Sequence, residues 1–593
     1  MMKKDEIPFE GRVTCILAAA VFAAGLVRLG IGLRELQVDD AADYGYANIR
    51  QSVRRVQTAG VRGRIVDRRG EVLAANRISI AIVCRPAAFQ KRTWEDTAVC
   101  IEAAAARLGS ELGRPPRFSA KGVRRHISQS LAMPLVAWRD VDERELAVFS
   151  EREAEFPGFA VSESVEREYP AGVSAAHVIG YVGHDRGDSE AGDEKFNFFT
   201  PEMRGRSGLE AYYDSFLRGV SGERKVLVDA RGFAISEWTV APAKSGPDLR
   251  LALDLRIQRE AERQLRGLTG ACAVIDPRNG DVLALASTPG FDPNDFVPSL
   301  SPEMYGRYSG DIAKPLLNRA SAGMYAPGST FKPITALAGL SAGRDADNEY
   351  ECDGAFELGM LRLRCTATWG HGPLDLRHAV MKSCNPFFCE LGMFAGTNAL
   401  VAAAHAFGLG SKTGIDLGAD AAGVVPDAEW KMRTYGEKWY QGDLAQMSIG
   451  QGMLLATPLQ MARVAGAIGT GFLVTPHLKA GAPASRTPLP FDRRHLAVVK
   501  DSMRMVVSGD GVSRGTGWRG GEGVAVPVSG KTGTAEVGMG ANRRKNAWFI
   551  AYAPSDAPSA ALALVVENGD SGGVTAAPKA AGILKAIFGE AAQ

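Results

Sequence analysis

An apolar segment near the N-terminus constrains the fold more than any other feature of the sequence. Residues 13–27 carry no charge, and the apolar stretch continues through residues 29–33 past a single Arg28. A stretch of about 20 such residues spans a bilayer as a helix, and Arg28 lies close enough to one end to snorkel to the interface. Basic residues precede the segment, which predicts a cytoplasmic N-terminus.

Two interpretations of this segment are open, an uncleaved anchor and a cleaved signal peptide. The small residues between Ala18 and Ala24 offer cleavage sites for a signal peptidase. The apolar stretch continues past these alanines, however, which favours an anchor. Under either interpretation, most of the chain is exported.

Chain length and net charge limit the number of domains and the kinds of partner that the protein can have. A chain of 593 residues is too long for one compact domain, and its 46% hydrophobic and 23% charged residues are ordinary for folded protein. The formal net charge of +2 offers no basic excess for phosphate binding, so we expect no nucleic-acid partner.

The pattern of apolar residues changes at about residue 245. Before it, residues 61–76 predict two short strands about a turn at residues 68–70, and residues 95–155 have helical spacing. Pro, Gly and Lys interrupt the pattern at residues 241–248. After the break, residues 271–287 predict a hairpin. Further strands and a helix near the C-terminus suggest that one sheet joins both ends of this second domain.

A serine and a lysine stand three residues apart, directly after a Pro-Gly turn, in YAPGSTFKPITALAGL (residues 325–340). On a helix that begins there, the ammonium of Lys332 can reach the hydroxyl of Ser329. Pro333 is compatible with the first turn of such a helix. One interpretation is a nucleophile at the positive end of a helix dipole, beside a lysine of lowered pKa. The alternative is that Ser329 is only a helix N-cap.

Two further short motifs lie downstream in the same predicted domain. KSCNPFF contains Ser-x-Asn at Ser383 and Asn385, and SGKTGTAEV contains Lys-Thr-Gly at residues 531–533. Taken singly, the first is a polar turn before a proline and the second an edge strand with a glycine. Their joint occurrence with Ser329 and Lys332, in this order within one domain, is not expected by chance.

The three motifs resemble those of the penicillin-recognising serine acyltransferases. The resemblance extends over nearly the whole chain. Five segments of this chain resemble class B penicillin-binding proteins: RGRIVDRRGEVLA, REYPAG, GLEAYYD, VIDPRNGDVLALASTPGFDPN and NRASAGMYAPGSTFKP. Within that class the chain is most similar to the penicillin-binding protein 2 group, the elongation-type D,D-transpeptidases. No glycosyltransferase domain fits before residue 250, which separates the chain from the bifunctional class A enzymes.

The resemblance implies an α+β fold with three parts. We expect a cytoplasmic tail and transmembrane anchor at residues 1–34. An elongated, mixed α/β pedestal of the penicillin-binding protein dimerisation type follows at residues 35–245. The transpeptidase domain, residues 246–593, has an antiparallel sheet flanked by helices, as in serine β-lactamases. The resemblance also implies a single-pass protein of the bacterial inner membrane with a periplasmic catalytic domain.

The resemblance also implies roles for the motif residues. Ser329 attacks the carbonyl of the penultimate D-Ala in a peptidoglycan stem peptide and expels the terminal D-Ala, while Lys332 takes the serine proton. Ser383 passes a proton to the leaving amine, and Asn385 orients the substrate amide. An amine from a neighbouring stem then resolves the acyl-enzyme, whereas a β-lactam acylates Ser329 and stays.

The third motif is implied to bind the substrate. Lys531 and Thr532 hold its carboxylate, and Gly533 lets the strand lie close to the ligand. The backbone N–H groups of Ser329 and Thr534 form the oxyanion hole.

Four of the eight cysteines cluster between residues 352 and 389. Three of them, together with one histidine, make a Cys₃His set typical of a closed zinc site; the set is Cys352, Cys365, His371 and Cys384. A disulfide between any two of the three cysteines is the alternative in an exported protein. Some relatives in the penicillin-binding protein 2 group hold zinc here, partly through acidic ligands that Cys352 and Cys365 would replace. Such an ion is structural, and acyl transfer itself needs no cofactor.

Subtype and partners follow from the resemblance alone. Elongation-type proteins often have Asp at the position of Asn385 and septal-type proteins usually have Asn, so a septal transpeptidase is an alternative. A non-catalytic β-lactam sensor or scaffold is a second alternative. The implied partners are stem peptides, β-lactams, the membrane, a SEDS-family (RodA-like) glycan polymerase docked on the pedestal, and other proteins of the elongation complex.

Overall fold

The first described element is the helix Phe9–Arg34. The computed structural model describes residues 9–39, 52–184, 198–199, 203–538 and 544–590. The 26 residues of this helix extend about 39 Å at 1.5 Å per residue, more than a bilayer core of about 30 Å. The span Val13–Asp39 is 0% buried, so it packs against no other described part of the chain. The predicted anchor is therefore a helix long and apolar enough to cross a membrane.

The pedestal contains two main sheets. Its strands are β1 (Val53–Thr58), β2 (Ile65–Val66), β3 (Val72–Cys84), β4 (Leu135–Trp138), β5 (Phe159–Glu168), β6 (Val182–His184), β7 (Phe198–Phe199), β8 (Met203–Gly205), β9 (Gly222–Val228), β10 (Ala234–Ala241) and β11 (Leu249–Arg250). One sheet has the order β10-β9-β1-β7 and the other β11-β2-β3-β4, with β5 also paired to β3. The short strands β6 and β8 pair separately.

Helices cover one side of the second pedestal sheet. The pedestal helices are Trp94–Leu112, Ala120–Ser130, Glu143–Glu151, Ala176–Ile179, Gly208–Tyr212 and Asp214–Leu217. The first three share a buried apolar cluster with β3, β4 and β5, centred on Trp138 and Phe149. The predicted turn at residues 68–70 is confirmed between β2 and β3. The helical prediction for residues 95–155 is wrong at β4, a short strand that pairs with β3 and is therefore held by the sheet.

The catalytic domain is built on a five-stranded antiparallel sheet. Its strands are β12 (Gly270–Ile275), β13 (Val282–Thr288), β20 (Ser529–Val537), β21 (Arg544–Ala553) and β22 (Ala560–Val566), in the order β13-β12-β22-β21-β20. The predicted hairpin is confirmed as β12–β13. Because β12 pairs with β22, one sheet does join the two ends of the domain, as the sequence suggests.

Both faces of this sheet are buried, so β12 and β22 are apolar throughout and β21 is apolar from Ala547 onward. Alternate residues point to opposite faces. On β21, Trp548 and Ile550 enter one apolar cluster, whereas Ala547 and Phe549 enter the other. The first face packs against the helix that follows Ser329, and the second against the C-terminal helix.

The helices and short strands complete the domain. The helices are Leu255–Gln264, Pro302–Gly310, Lys332–Ser341, Leu376–Lys382, Asn385–Ala395, Thr397–Ala406, Ala428–Tyr435, Gln441–Ser448, Pro458–Thr470, Arg493–Ser508 and Ala577–Phe588. Three two-stranded ribbons pair β14 (Tyr350–Cys352) with β17 (Gly372–Leu374), β15 (Ala355–Leu358) with β16 (Leu361–Arg364), and β18 (Phe472–Val474) with β19 (Arg486–Pro488). The polar composition between residues 183 and 206 predicts a loop, and most of this segment lies outside the described residues.

Candidate active site

Ser329 lies in a tight turn that leads directly into a helix. Residues Gly328–Phe331 form a single 3₁₀ turn, and the α-helix Lys332–Ser341 follows without a break. Pro333 falls in the first turn of this helix, where its missing N–H costs no hydrogen bond. Ser329 itself is half-buried. The predicted helix start beside the serine is confirmed.

Lys332 is completely buried and makes three hydrogen bonds. Its Nζ donates to Ser383 O at 2.8 Å, to Asn385 Oδ1 at 2.7 Å and to Ser383 Oγ at 3.3 Å. In the described part of the chain, none of its bonds goes to Ser329. Burial without a neighbouring carboxylate lowers the pKa of Lys332 to about 8, because desolvation disfavours the ammonium form. A substantial fraction is therefore a neutral amine at neutral to mildly alkaline pH.

Ser383 occupies the point where the two motif lysines meet. It ends the helix Leu376–Lys382 with φ 57° and ψ 42°, a left-handed conformation that a serine adopts only when its surroundings impose it. Lys531 Nζ donates to Ser383 Oγ at 2.8 Å, on the other side from Lys332. Since both ammonium groups donate to this oxygen, its own hydroxyl hydrogen is left for a third partner.

Lys531 is as deeply buried as Lys332. Besides Ser383, it donates to the backbone carbonyl of Thr532 at 2.9 Å. Burial, and then the neighbouring charge of Lys332, lower its pKa well below the ordinary value. Among the described residues no carboxylate is hydrogen-bonded to either lysine, so an anionic ligand would supply the negative charge that favours their ammonium forms.

The Lys-Thr-Gly motif lies on β20, the edge strand of the central sheet. Gly533 is opposite Trp548 of β21. A Cβ at Gly533 would lie 2.8 Å from Thr330 Cγ2 and 2.9 Å from Pro327 O, so the glycine is required by contact with the turn that carries Ser329. The sequence predicts that Gly533 leaves room for a ligand. The structure shows that it also leaves room for the turn that carries Ser329.

Asn385 joins the second motif to a neighbouring hairpin. Its Oδ1 accepts from Lys332, and its Nδ2 donates to Arg364 O at 2.8 Å. Asn385 is the first residue of the helix Asn385–Ala395, directly after Cys384. Its side-chain orientation is therefore fixed from both ends of the amide.

The four predicted metal ligands converge. Their ligand atoms all lie within 4.8 Å of one another, and the cysteines are buried. His371 Nδ1 is 3.4 Å from Cys365 Sγ and 3.7 Å from Cys352 Sγ, and the sulfurs of Cys365 and Cys384 are 3.9 Å apart. All eight cysteines are free thiols in the structure, so the disulfide alternative is not formed there. The Cys384 thiol, by its hydrogen bond, holds the pKa of Cys365 below its ordinary value.

Two further polar residues, Thr516 and Gln451, lie beside the site, and no sequence pattern predicts them there. Thr532 Oγ1 donates to Thr516 Oγ1 at 2.9 Å, and Thr516 in turn donates to Met381 O at 3.1 Å. Gln451 Nε2 donates to the carbonyl of Thr534 at 3.2 Å. Both lie on loops without a periodic pattern, so only the tertiary fold brings them to the motif strand.

Family profiles match most of the chain. The profile "Penicillin binding protein transpeptidase domain" matches residues 270–588, and "Penicillin-binding Protein dimerisation domain" matches residues 57–251. Among curated proteins, the chain is 33% identical to "Peptidoglycan D,D-transpeptidase MrdA" of Escherichia coli (strain K12), over 94% of this chain and 91% of that protein.

Solved structures agree with these matches. The chain superposes with a TM-score of 0.76 on a structure described as "Complex between Penicillin-Binding Protein (PBP2) and MreC from Helicobacter pylori", at 26% identity, covering 90% of this chain and 99% of that one. A second, described as "Structural coordination of polymerization and crosslinking by a peptidoglycan synthase complex", has a TM-score of 0.72 at 30% identity and covers 98% of both chains.

Proposed function

The chain belongs to the class B penicillin-binding proteins and is a peptidoglycan D,D-transpeptidase, and we propose that its acyl-enzyme forms on Ser329. The observation that carries this assignment is the convergence of Lys332 and Lys531 on Ser383 Oγ, beside the turn that presents Ser329. Burying two lysine amines costs desolvation free energy, and a helix cap needs neither of them.

Lys332 is the proposed base. Its lowered pKa makes the neutral amine accessible. After losing a proton it keeps two donors, which suffice for Ser383 O and Asn385 Oδ1, and gains a lone pair that can accept the proton of Ser329. Ser329 Oγ then attacks the carbonyl of the penultimate D-Ala of a stem peptide.

Ser383 is the proposed proton relay to the leaving group. With Lys332 and Lys531 both donating to its oxygen, its hydroxyl hydrogen can be donated to the amine of the departing D-Ala, and a lysine replaces it. The amine of a neighbouring stem returns along the reverse path and resolves the ester. A β-lactam acylates Ser329 in the same way and remains attached.

β20 is the proposed binding strand. As an edge strand, it can accept an extended peptide by backbone hydrogen bonds. Lys531 and Thr532 would bind the substrate carboxylate, which supplies the negative charge that the two lysines lack. The N–H groups of Ser329 and Thr534 would bind the oxyanion; Gly328, directly before Ser329, is so close that a Cβ there would lie 2.9 Å from Thr534 O.

We further propose that the cysteine cluster, defined as Cys352, Cys365, His371 and Cys384, holds a structural Zn²⁺. A tetrahedral zinc ion, with bonds of about 2.3 Å to sulfur and about 2.1 Å to nitrogen, separates two sulfurs by about 3.8 Å and sulfur from nitrogen by about 3.6 Å. The separations of 3.9, 3.7 and 3.4 Å fit this geometry. Because Cys384 stands between Ser383 and Asn385, the ion would fix the catalytic loop without taking part in acyl transfer.

The zinc proposal is tested by metal analysis of the purified protein. We expect about one zinc per chain in the wild type and near none in Cys365→Ser, because a structural site needs all four ligands. Cys100→Ser, in a pedestal helix, is the control and should keep its zinc. A wild type without zinc, in which Cys352 and Cys365 are linked by a disulfide, would refute the proposal.

We propose that the enzyme acts in cell-wall elongation, anchored in the inner membrane by the helix Phe9–Arg34 with its catalytic domain outside. The relatives named above support this role, as do the MreC complex and the synthase complex among the similar structures. The proposed partners are a SEDS-family (RodA-like) glycan polymerase and other elongation proteins, bound through the pedestal.

We propose the domain limits predicted from the sequence, 35–245 for the pedestal and 246–593 for the transpeptidase domain. β11 follows the second limit yet pairs with β2 of the pedestal. The segment just after this limit is therefore a strand of the pedestal sheet and ties the two domains together.

The assignment of Ser329 is tested by labelling the purified protein with a fluorescent penicillin. We expect stable labelling in the wild type and none in Ser329→Ala. A synthetic stem peptide and an amine acceptor, added in a second assay, should give a crosslinked product; release of D-Ala without crosslinking would instead indicate a carboxypeptidase. A folded wild type that is not labelled would favour the scaffold alternative.

A further inference from the structure

Trp548 connects the binding strand to the turn that carries Ser329. It lies on β21 directly opposite Gly533, and its side chain is completely buried. The indole Nε1 donates to Ala326 O at 3.1 Å, three residues before Ser329. One side chain therefore ties the strand next to β20 to the start of the nucleophile turn.

Glu567 makes a second connection to the same segment. It follows β22, and its Oε1 accepts from Tyr325 Oη at 2.8 Å, four residues before Ser329. The same oxygen accepts from Arg319 Nε at 2.8 Å, and the Arg319 side chain is only 4% exposed. The ring of Tyr325 packs edge-on against Trp548, with centroids 6.0 Å apart. The two connections are thus adjacent and brace one short stretch of backbone.

The contact between turn and strand is held partly from nearby, where Gly328 N–H donates to Gly450 O at 2.8 Å and Gln451 Nε2 donates to Thr534 O at 3.2 Å. The contact itself is made by backbone, two glycines and the Thr330 methyl: a Cβ at Gly328 would lie 2.9 Å from Thr534 O, and one at Gly533 2.9 Å from Pro327 O and 2.8 Å from Thr330 Cγ2. Because glycines present no side chain, the separation of the two segments depends on bonds made just outside the contact. Trp548 and Glu567 provide such bonds.

We infer that Trp548 and Glu567 are positioning residues for acyl transfer, which fix the N–H of Ser329 relative to that of Thr534. This inference rests on the proposed function. Neither residue is placed to touch the substrate; each acts through the backbone of residues 325–326. An oxyanion hole requires its two donors to be held within a few tenths of an ångström, and a shift of about 1 Å can cost about 10²-fold in rate.

Trp548→Phe tests the first connection, because it keeps an aromatic ring and removes only the N–H donor. We expect the acylation rate constant for a chromogenic β-lactam to fall about ten- to a hundredfold, with the dissociation constant of the initial, non-covalent complex unchanged. A boronic acid that forms a tetrahedral adduct on serine should lose affinity by a similar factor, since its anionic oxygen occupies the same hole.

Trp138→Phe is the matched control. Trp138 is also completely buried, and its Nε1 donates to a backbone carbonyl, Arg114 O, at 3.0 Å in the pedestal. We expect a comparable change in melting temperature and no change in acylation. This pair separates the loss of a buried hydrogen bond from the loss of positioning.

The second connection is tested with Tyr325→Phe and Glu567→Gln. The first removes the hydroxyl donor, and we expect a slower acylation; the second keeps an acceptor oxygen for Tyr325, and we expect most of the rate to be retained. Wild-type acylation and boronate affinity in Trp548→Phe, or a loss confined to initial binding or thermal stability, would overturn the inference. Labelling that persists in Ser329→Ala would instead refute the proposed function itself.

Discussion

Ser383 is the residue at which the two lysines of the candidate site meet. It is the common hydrogen-bond partner of Lys332 and Lys531, which reach it from separate elements. Its left-handed backbone lies at the junction of two helices, and its Oγ accepts from both amines. The Ser383 hydroxyl, the proposed proton relay, thus joins Lys332, the proposed base, to Lys531, the proposed carboxylate-binding lysine.

Ser383→Ala should slow acylation by about 10²- to 10⁴-fold, the range typical of a lost proton-transfer group. The two lysines would lose their shared acceptor while remaining buried. Stopped-flow measurement with a fluorescent penicillin checks this. Ser502→Ala is the control, because Ser502 is a buried serine of the same domain that donates only to the carbonyl of Val498. Equal rates in the two variants would contradict the relay.

The rate of acylation should rise with pH through about 8. Burial lowers the pKa of Lys332 to about 8, and only its neutral form, present above that pKa, can accept the proton of Ser329. We therefore expect acylation to be slow near pH 6 and to level off above pH 9, within about one unit. The second-order acylation rate constant measured from pH 6 to 10 tests this. A rise centred near the ordinary lysine pKa of about 10.5 would show that Lys332 is not the titrating base.

At the scale of elements, the site lies where the edge strand β20 meets the 3₁₀ turn Gly328–Phe331. The two are packed backbone to backbone, because glycines occupy the contact on both sides. β20 carries Lys531 and the turn carries Ser329. A change in the distance between strand and turn therefore changes the geometry of the site even when all its residues are kept.

Gly533→Ala should separate these two elements. Its Cβ would lie 2.8 Å from Thr330 Cγ2 and 3.1 Å from Trp548 Cβ, contacts too short to be accommodated without movement. We expect the acylation rate constant to fall by about 10²-fold, because misplacing a reacting group by about 1 Å has a cost of this size. The protein should remain folded. Labelling kinetics and a melting curve measure both effects.

Gly418→Ala serves as the control for this substitution. A Cβ at Gly418 meets nothing within 4 Å, so the variant should acylate like the wild type. If Gly533→Ala also acylated normally, the close contact between strand and turn would not be needed for catalysis.

At the scale of the whole molecule, a membrane-length helix is combined with two domains that share several polar contacts. Asn294 makes two hydrogen bonds to the backbone of Tyr169, and Tyr213 donates to Asp416 at 2.7 Å. These contacts join the pedestal to the catalytic domain. The helix Phe9–Arg34, by contrast, packs against neither domain in the described part of the chain.

Deletion of residues 1–51 should therefore leave acylation unchanged. The described span Val13–Asp39 within this segment contributes no buried side chain to either domain, and its removal takes away the apolar surface that requires detergent. We expect a protein soluble without detergent, with the melting temperature and penicillin-labelling rate of the full chain. Loss of labelling in the folded, truncated protein would show that the anchor segment supports the catalytic domain directly.

Local patterns in the sequence predict much of this protein correctly. The long apolar helix near the N-terminus, the β12–β13 hairpin and the helix start at Ser329 follow from local patterns, because propensity, turn chemistry and proline placement act over short range. The three motifs, through the resemblance they support, also predict the family and the two-domain fold. The helical prediction for residues 95–155 is wrong at β4, because a four-residue strand held by the sheet has no clear local pattern.

The tertiary structure alone decides how the motifs are arranged. Lys531 and Ser383 are 148 positions apart in the chain, and Trp548 and Ala326 are 222 apart; no local preference relates them. The left-handed Ser383, the free thiols of the cysteine cluster and the bracing by Trp548 and Glu567 all result from packing between distant segments. The sequence determines which chemical groups are present, whereas the close packing of the folded chain determines their distances, burial and pKa values.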